Sequence, residues 1–192
     1  MVKVVIVYHS GYGHTAKVAQ AVGDGVLRHA GASAQVLSVD ALDAASWQAL
    51  DEADAIIFGA PTYMGGVSAQ FKLFIEAASK RWAAQSWKNK IAAGFTNAGA
   101  YSGDNFNSLI QLLANAMQHS MIWVGTGIKA PSPKGNGPTG ADINRVGSFI
   151  GVATQSNDES PEITPPSGDL ETARLLGQRV ASITSQFKRG QG

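Results

Sequence analysis

The stretch Val2-Lys3-Val4-Val5-Ile6-Val7-Tyr8-His9-Ser10-Gly11-Tyr12-Gly13-His14-Thr15 decides how this chain folds. Residues 2–8 are a near-continuous apolar run, the pattern of a strand buried on both faces. From about Gly13 the period changes. Val18, Ala19, Val22 and Val26 recur at helical spacing up to Ala30-Gly31, where glycine marks a helix end. A buried strand thus passes through a glycine-bearing loop into an amphipathic helix.

The same alternation repeats outward from that stretch. Gln35–Val39 reads as a second strand, 43–51 as a short helix and Ala55–Gly59 as a third strand. After a Pro/Gly loop at 60–66, Val67, Phe71, Phe74, Ile75, Ala78 and Trp82 make one helical stripe. Lys90–Phe95 is a fourth strand; Phe106, Leu109, Ile110, Leu113 and Met117 form another stripe; Met121–Gly125 is a fifth strand. The last helix carries Ala173, Leu176, Val180, Ile183 and Phe187. Strands alternating with helices predict an α/β fold, a three-layer sandwich around a five-stranded parallel sheet of order 2-1-3-4-5 with right-handed crossovers. The alternation breaks at about 128–168, which is rich in Gly, Pro, Ser and Asn around one apolar island, Phe149–Ala153. A loop of that length is functional or disordered. Residues 1–192 are therefore expected to form one domain carrying a Gly/Pro-rich insert, a lid or a subunit contact.

Composition removes several classes of function. The 192 residues are 44% hydrophobic and 15% charged, enough apolar material for a core. Fifteen basic residues against fourteen acidic leave a formal charge of +1, with no global field for nucleic acid or an anionic membrane. The absence of cysteine excludes disulfides, thiolate metal sites and thiol nucleophiles, and no metal is expected. No apolar run reaches the roughly 18 residues of a membrane span, and no small-residue cleavage site follows the first strand. The expectation is a cytoplasmic protein.

In an open parallel sheet, ligands bind beyond the carboxyl ends of the strands at the topological switch point. The loops after strands 1, 3 and 4 lie there. In the first, Gly11 and Gly13 allow backbone N–H groups to approach an anion, while Ser10 and Thr15 add hydroxyls beside a helix N-terminus. A Walker A loop is excluded, because no Gly-Lys-Ser/Thr follows. A dinucleotide fingerprint is met loosely by Gly11, Gly13 and Ala16, with Asp40 as the acidic ribose partner. In the second loop Pro61, Thr62, Tyr63, Met64 and Gly65 suit one wall of a slot for a planar ring, with Thr62 bonding a polar edge. In the third, Thr96, Asn97, Ala98 and Gly99 offer small residues and free N–H groups to a heterocycle, Tyr101 is either a stacking or a surface residue, and Asp104 is placed to N-cap the following helix. A monophosphate cradle beside a flat slot matches FMN better than NAD.

These segments, with Gln70-Phe71-Lys72 and Gln118-His119-Ser120-Met121, resemble the flavodoxin superfamily, and within it the WrbA-like NAD(P)H:quinone oxidoreductases, over nearly the whole chain. The resemblance implies a flavodoxin-like fold and noncovalent FMN. It implies transfer of two electrons from NADH or NADPH to a quinone-like substrate, and assembly as a homodimer or homotetramer. By position, Ser10, Tyr12, Gly13, His14 and Thr15 would hold the phosphate and ribityl chain. Pro61, Thr62, Tyr63, Met64 and Gly65 would bound the ring, and Thr96, Asn97, Ala98 and Gly99 its pyrimidine edge. His119 matches a family histidine near the flavin, and Trp82 a family tryptophan that reaches the flavin pocket of a neighbouring subunit. By spacing alone, His119 is a helix C-cap and Trp82 closes an apolar stripe. The family often has Arg-Phe-Gly where this chain has Tyr63-Met64-Gly65, a departure that bears on substrate and nicotinamide preference. The alternative is an electron carrier of true flavodoxin type without turnover of its own. Such carriers are typically strongly acidic, which a charge of +1 does not match.

Overall fold

The computed structural model describes residues 1–132 and 137–190, so positions 133–136 of the predicted insert lie outside the described residues. The elements are β1 (Val2–Tyr8), α1 (His14–Leu27), β2 (Ala32–Ser38), α2 (Ala44–Glu52), β3 (Ala55–Tyr63) and β4 (Gly66–Val67). They continue with α3 (Ala69–Ala77), α4 (Ser79–Ala83), β5 (Ile91–Ala98), α5 (Asn105–Gln118), β6 (Ile122–Trp123), β7 (Val152–Gln155) and α6 (Ser167–Arg189).

The sheet runs β2-β1-β3-β5-β6, and β7 also pairs with β5. Register explains the extra strand. Ile91 and Ala92 pair in parallel with Ile122 and Trp123, whereas Phe95–Ala98 pair in parallel with Val152–Gln155. β6 and β7 therefore occupy successive stretches of one edge of β5, and together they are the fifth strand of the expected 2-1-3-4-5 order. The strand predicted at 121–125 supplies only two paired residues, and the apolar island of the insert supplies the rest. The reason is local closure. The Thr126 N–H donates to the Phe149 carbonyl at 3.0 Å, and the Trp123 indole N–H donates to the Ile150 carbonyl at 2.7 Å, so the ends of the excursion meet and the chain re-enters the sheet.

The apolar run of β1 follows from helices on both faces. Val4 and Ile6 pack with α1 and α6 residues such as Val22, Leu176 and Val180. Val5 and Val7 pack on the other side with Phe58, Phe71, Trp87 and Leu112. The stripe predicted through Trp82 breaks at Ala78, between α3 and α4. Trp82 is 52% exposed, and the tryptophan in the core is Trp87, which is completely buried with its indole N–H on Asp51. Asp104 does stand at the N-cap position of α5, but its backbone is left-handed (φ 58°) and its side chain makes no capping bond, contrary to expectation. Among the described residues no helix is long and apolar enough to cross a membrane.

Candidate active site

A cavity of about 430 Å³ opens at the carboxyl edge of the sheet, where the loops after β1, β3, β5 and β7 converge. Its floor at one end is the start of α1. Gly13 holds φ 91°, a conformation that favours glycine, and its N–H donates to Ser10 Oγ at 3.0 Å. The first helical bond runs from the Lys17 N–H to the Gly13 carbonyl at 3.1 Å. The N–H groups of His14, Thr15 and Ala16 consequently have no intrahelical acceptor. No side chain caps this helix. Three uncompensated donors at the positive end of a helix are a fitting seat for an anion, and Ser10, Tyr12, His14 and Thr15 all line the cavity there.

The second wall is the end of β3. Pro61, Thr62 and Tyr63 line the cavity, and the chain then reverses through Met64 (φ 48°) and Gly65 (φ 84°) into β4, a tight turn that requires positive φ at both central residues. Tyr63 leans over the first loop. A Cβ added at Gly11 would lie 2.6 Å from the Tyr63 hydroxyl, and the Tyr12 and Tyr63 rings meet edge-on at 6.1 Å. Burial raises the Tyr63 phenol pKa, so the group remains a neutral donor. Met64 is fully exposed, and neither it nor Gly65 belongs to the cavity wall. The predicted roles of Thr62 and Thr96 also change. The Thr62 hydroxyl bonds Thr96 Oγ1 at 2.8 Å, Ser108 Oγ at 2.7 Å and Asn105 Oδ1 at 3.2 Å, while the Thr96 hydroxyl donates to the Ala60 carbonyl at 2.7 Å. Those hydroxyls knit β3 to β5 and α5; Thr96 is fully buried beneath the site, whereas Thr62 also lines the cavity.

Asn97, Ala98 and Gly99 form the third wall. The Asn97 amide is pinned by the hydroxyls of Thr154, at 2.8 Å, and Ser156, at 2.9 Å. Tyr101 stands outside the cavity. Its hydroxyl accepts from Arg145 Nη1 at 2.6 Å. Asp40 does not line the cavity either; it accepts from the Ser38 hydroxyl at 3.1 Å, which removes the acidic partner of the dinucleotide reading.

Ser156, Asn157, Asp158 and Glu159 make a fourth wall; they belong to the insert expected as a lid or subunit contact, of which no single residue was predicted for the site. This loop is tied to the anion seat. His14 Nε2 lies 2.8 Å from the Glu159 carbonyl, Lys17 pairs with Glu162 at 2.6 Å, and a Cβ on Gly13 would lie 2.7 Å from Pro161 Cγ. The available signal was the apolar island 149–153. It is of strand length and runs into polar Gln155-Ser156-Asn157, as the other strands run into their loops.

The family model described as NADPH-dependent FMN reductase matches residues 43–130. Flavodoxin FldP of Pseudomonas aeruginosa is 43% identical over 97% of this chain and 99% of its own length. A WrbA-like flavodoxin of solved structure from Agrobacterium tumefaciens is 41% identical, with a TM-score of 0.77 over 97% of this chain and 99% of that one. The chain belongs to the WrbA-like flavodoxin family. A relative named NAD(P)H dehydrogenase (quinone), from Archaeoglobus fulgidus, is 29% identical over 97% of this chain and all of its own length.

In this WrbA-like chain, neither His119 nor Trp82 lines the cavity. His119 lies three residues before Ile122, which pairs with Ile91 at the amino end of β5, whereas Asn97 is six residues further along. That separation is about 20 Å at the rise of a strand. His119 is 3% exposed, its ring packs tilted against Trp87 at a centroid distance of 4.5 Å, and its backbone occupies the C-cap position of α5. Burial lowers its pKa, which keeps it neutral. Trp82 lies on the same edge, since Gln85 links its carbonyl to the Ser120 hydroxyl through bonds of 2.8 Å each.

Proposed function

We propose that this chain binds FMN in the carboxyl-edge cavity and transfers two electrons from NADH or NADPH to a quinone-like acceptor. The observation that carries this reading is the uncapped start of α1, whose free N–H groups open into one end of a cavity walled by Tyr12, Tyr63 and the amides of Asn97–Gly99. A dianionic phosphate at the first loop and a flat heterocycle between the second and third satisfy both halves of that description. The family's FMN reductase model and the quinone-dehydrogenase relatives support it.

The flavin, when bound, supplies the redox chemistry, and the protein supplies position. Ser10, His14 and Thr15 would hold the phosphate. Gly13 keeps the loop in the conformation that presents the amides. Pro61 and Tyr63 would bound the ring, and Asn97, Ala98 and Gly99 would face its pyrimidine edge. The loop 156–159 screens the cradle from water. Trp82, half-exposed on the opposite edge, is offered to a neighbouring subunit of a homodimer or homotetramer. His119 is a C-cap and core contact of its own protomer.

The second reading, an electron carrier without its own turnover, is favoured by the name of the relative at 43% identity, a flavodoxin. A net charge of +1 disfavours it. The deciding experiment is the absorption spectrum of purified protein reconstituted with FMN, followed by addition of NADH or NADPH and a benzoquinone. Flavin bands that bleach with the nicotinamide and return with the quinone, over many turnovers, are expected. Stable flavin bands without turnover establish the carrier. Failure to take up FMN overturns both readings.

A further inference from the structure

Arg145 comes from the insert and Asp169 from the first turn of α6. Neither lines the cavity, yet both are almost completely buried, at 3% and 1% side-chain exposure. Arg145 Nε donates to Asp169 Oδ1 at 2.7 Å and Nη2 to Asp169 Oδ2 at 2.9 Å, a two-point pairing. The rest of the guanidinium reaches away from the pair. Nη1 donates to the Tyr101 hydroxyl, and Nη2 also meets the Gln155 carbonyl at 3.1 Å and Gln155 Oε1 at 3.0 Å. Asp169 Oδ2 in turn accepts from the Gln155 N–H at 2.9 Å. Gln155 passes the constraint on, because its amide nitrogen donates to the Gly99 carbonyl at 2.9 Å and to Asn157 Oδ1 at 3.0 Å. Gly99 belongs to the third wall of the cavity and Asn157 to the fourth.

Two walls built from sequence-distant loops therefore hang from one buried cation. Stability alone gives little reason for it. Burying an ion pair costs several kcal/mol per ion in desolvation, and apolar residues of similar volume often do as well or better. What apolar residues cannot supply is direction. The planar guanidinium presents five donors at fixed angles, and here they fix Tyr101, Gln155 and Asp169 relative to one another.

We propose that Arg145, seated on Asp169, is the positioning residue of the flavin site. It sets the distance and orientation between the 97–99 wall and the 156–159 wall, and through them the tightness of the pocket around the pyrimidine edge. The proposal rests on the FMN reading above for its ligand, and on the bonds just described for its geometry.

Arg145→Lys tests it, because lysine keeps the charge opposite Asp169 and loses the fork. Three readouts are needed on parent and variant: far-UV circular dichroism for folding, FMN affinity by quenching of flavin fluorescence, and amide hydrogen exchange of the FMN-free protein. The expected result is a folded variant whose FMN dissociation constant rises at least tenfold, with a displaced visible band for the bound flavin. Exchange should accelerate at 98–101 and 156–159 and stay unchanged in β1. A folded variant with parental affinity and parental protection in both loops overturns the proposal. Should Arg145→Lys not fold, Tyr101→Phe removes one arm and leaves the ion pair. It should accelerate exchange at 99–102 and weaken FMN about threefold, and no change in either would equally overturn the proposal. If the parent takes up no FMN, the reading of the pocket fails, while exchange in the FMN-free protein still decides whether Arg145 orders the walls.

Discussion

Replacing Gly13 by alanine puts the anion seat under a defined load. Gly13 holds φ 91° and ψ −23°, and left-handed backbone costs a residue with a Cβ about 1–2 kcal/mol. The new methyl also has no room, since it would lie 2.7 Å from Pro161 Cγ and 3.3 Å from Pro161 Cβ. A proline ring cannot rotate away, and its loop is tethered to the seat by the His14–Glu159 contact at 2.8 Å and the Lys17–Glu162 pair at 2.6 Å. The strain must appear either as lost stability, if the loop keeps its shape, or as a relaxed loop that no longer presents the amides. The second route is the softer one, because only one short loop moves, so most of the cost should fall on FMN binding. A penalty of 1–2 kcal/mol corresponds to roughly a 5–30-fold rise in the dissociation constant. Fluorescence titration of FMN measures that share, and urea denaturation of the FMN-free protein measures the other. Pro161→Ala in the Gly13→Ala background should recover part of the loss, since it removes the Cγ contact but not the backbone strain. A Gly13→Ala protein that binds FMN as tightly as its parent would refute the reasoning.

Three further outcomes follow from the same geometry. Thr62→Val should cost about 1–3 kcal/mol in urea denaturation, by stranding the buried Thr96, Asn105 and Ser108 groups, while FMN affinity moves less than threefold; the opposite pattern would mean that the hydroxyl faces the ligand. His119 is held below its ordinary value of 6.5 by burial, so the unfolded chain takes up the proton first. Its contribution is intact above pH 6.5 and is lost as pH falls from there toward the folded value, by up to about 1.4 kcal/mol per pH unit. His119→Phe should flatten that part of the stability profile, and identical slopes in parent and variant would count against it. Gly177→Ala would set a methyl 2.0 Å from the Val22 carbonyl oxygen, where α6 crosses α1, so calorimetry should record a fall in Tm of several degrees with the flavin spectrum unchanged.

The stretch from Val2 to Thr15 determined most of what a sequence can determine. A near-continuous apolar strand demands helices on both faces, and a glycine loop ahead of an amphipathic helix leaves uncapped N–H groups at the helix start, because both are consequences of local geometry. The walls at 61–63 and 97–99 were legible for the same reason, as loops that follow apolar runs. Tertiary structure alone decided the rest. Whether Val152–Gln155 joins the sheet depends on its pairing with Phe95–Ala98, a contact more than fifty residues away that four residues of pattern cannot announce. That pairing in turn creates the fourth wall and brings Gln155 to Arg145. The hydroxyls of Thr62 and Thr96 turned inward because sheet register, which is non-local, selects which side of a strand each residue faces. His119 and Trp82 fall on the far edge because α5 and the α3–α4 pair run the length of the sheet before those residues occur. Residue type and spacing announce the chemistry a chain can offer, and only the register of distant strands fixes which of those groups meet.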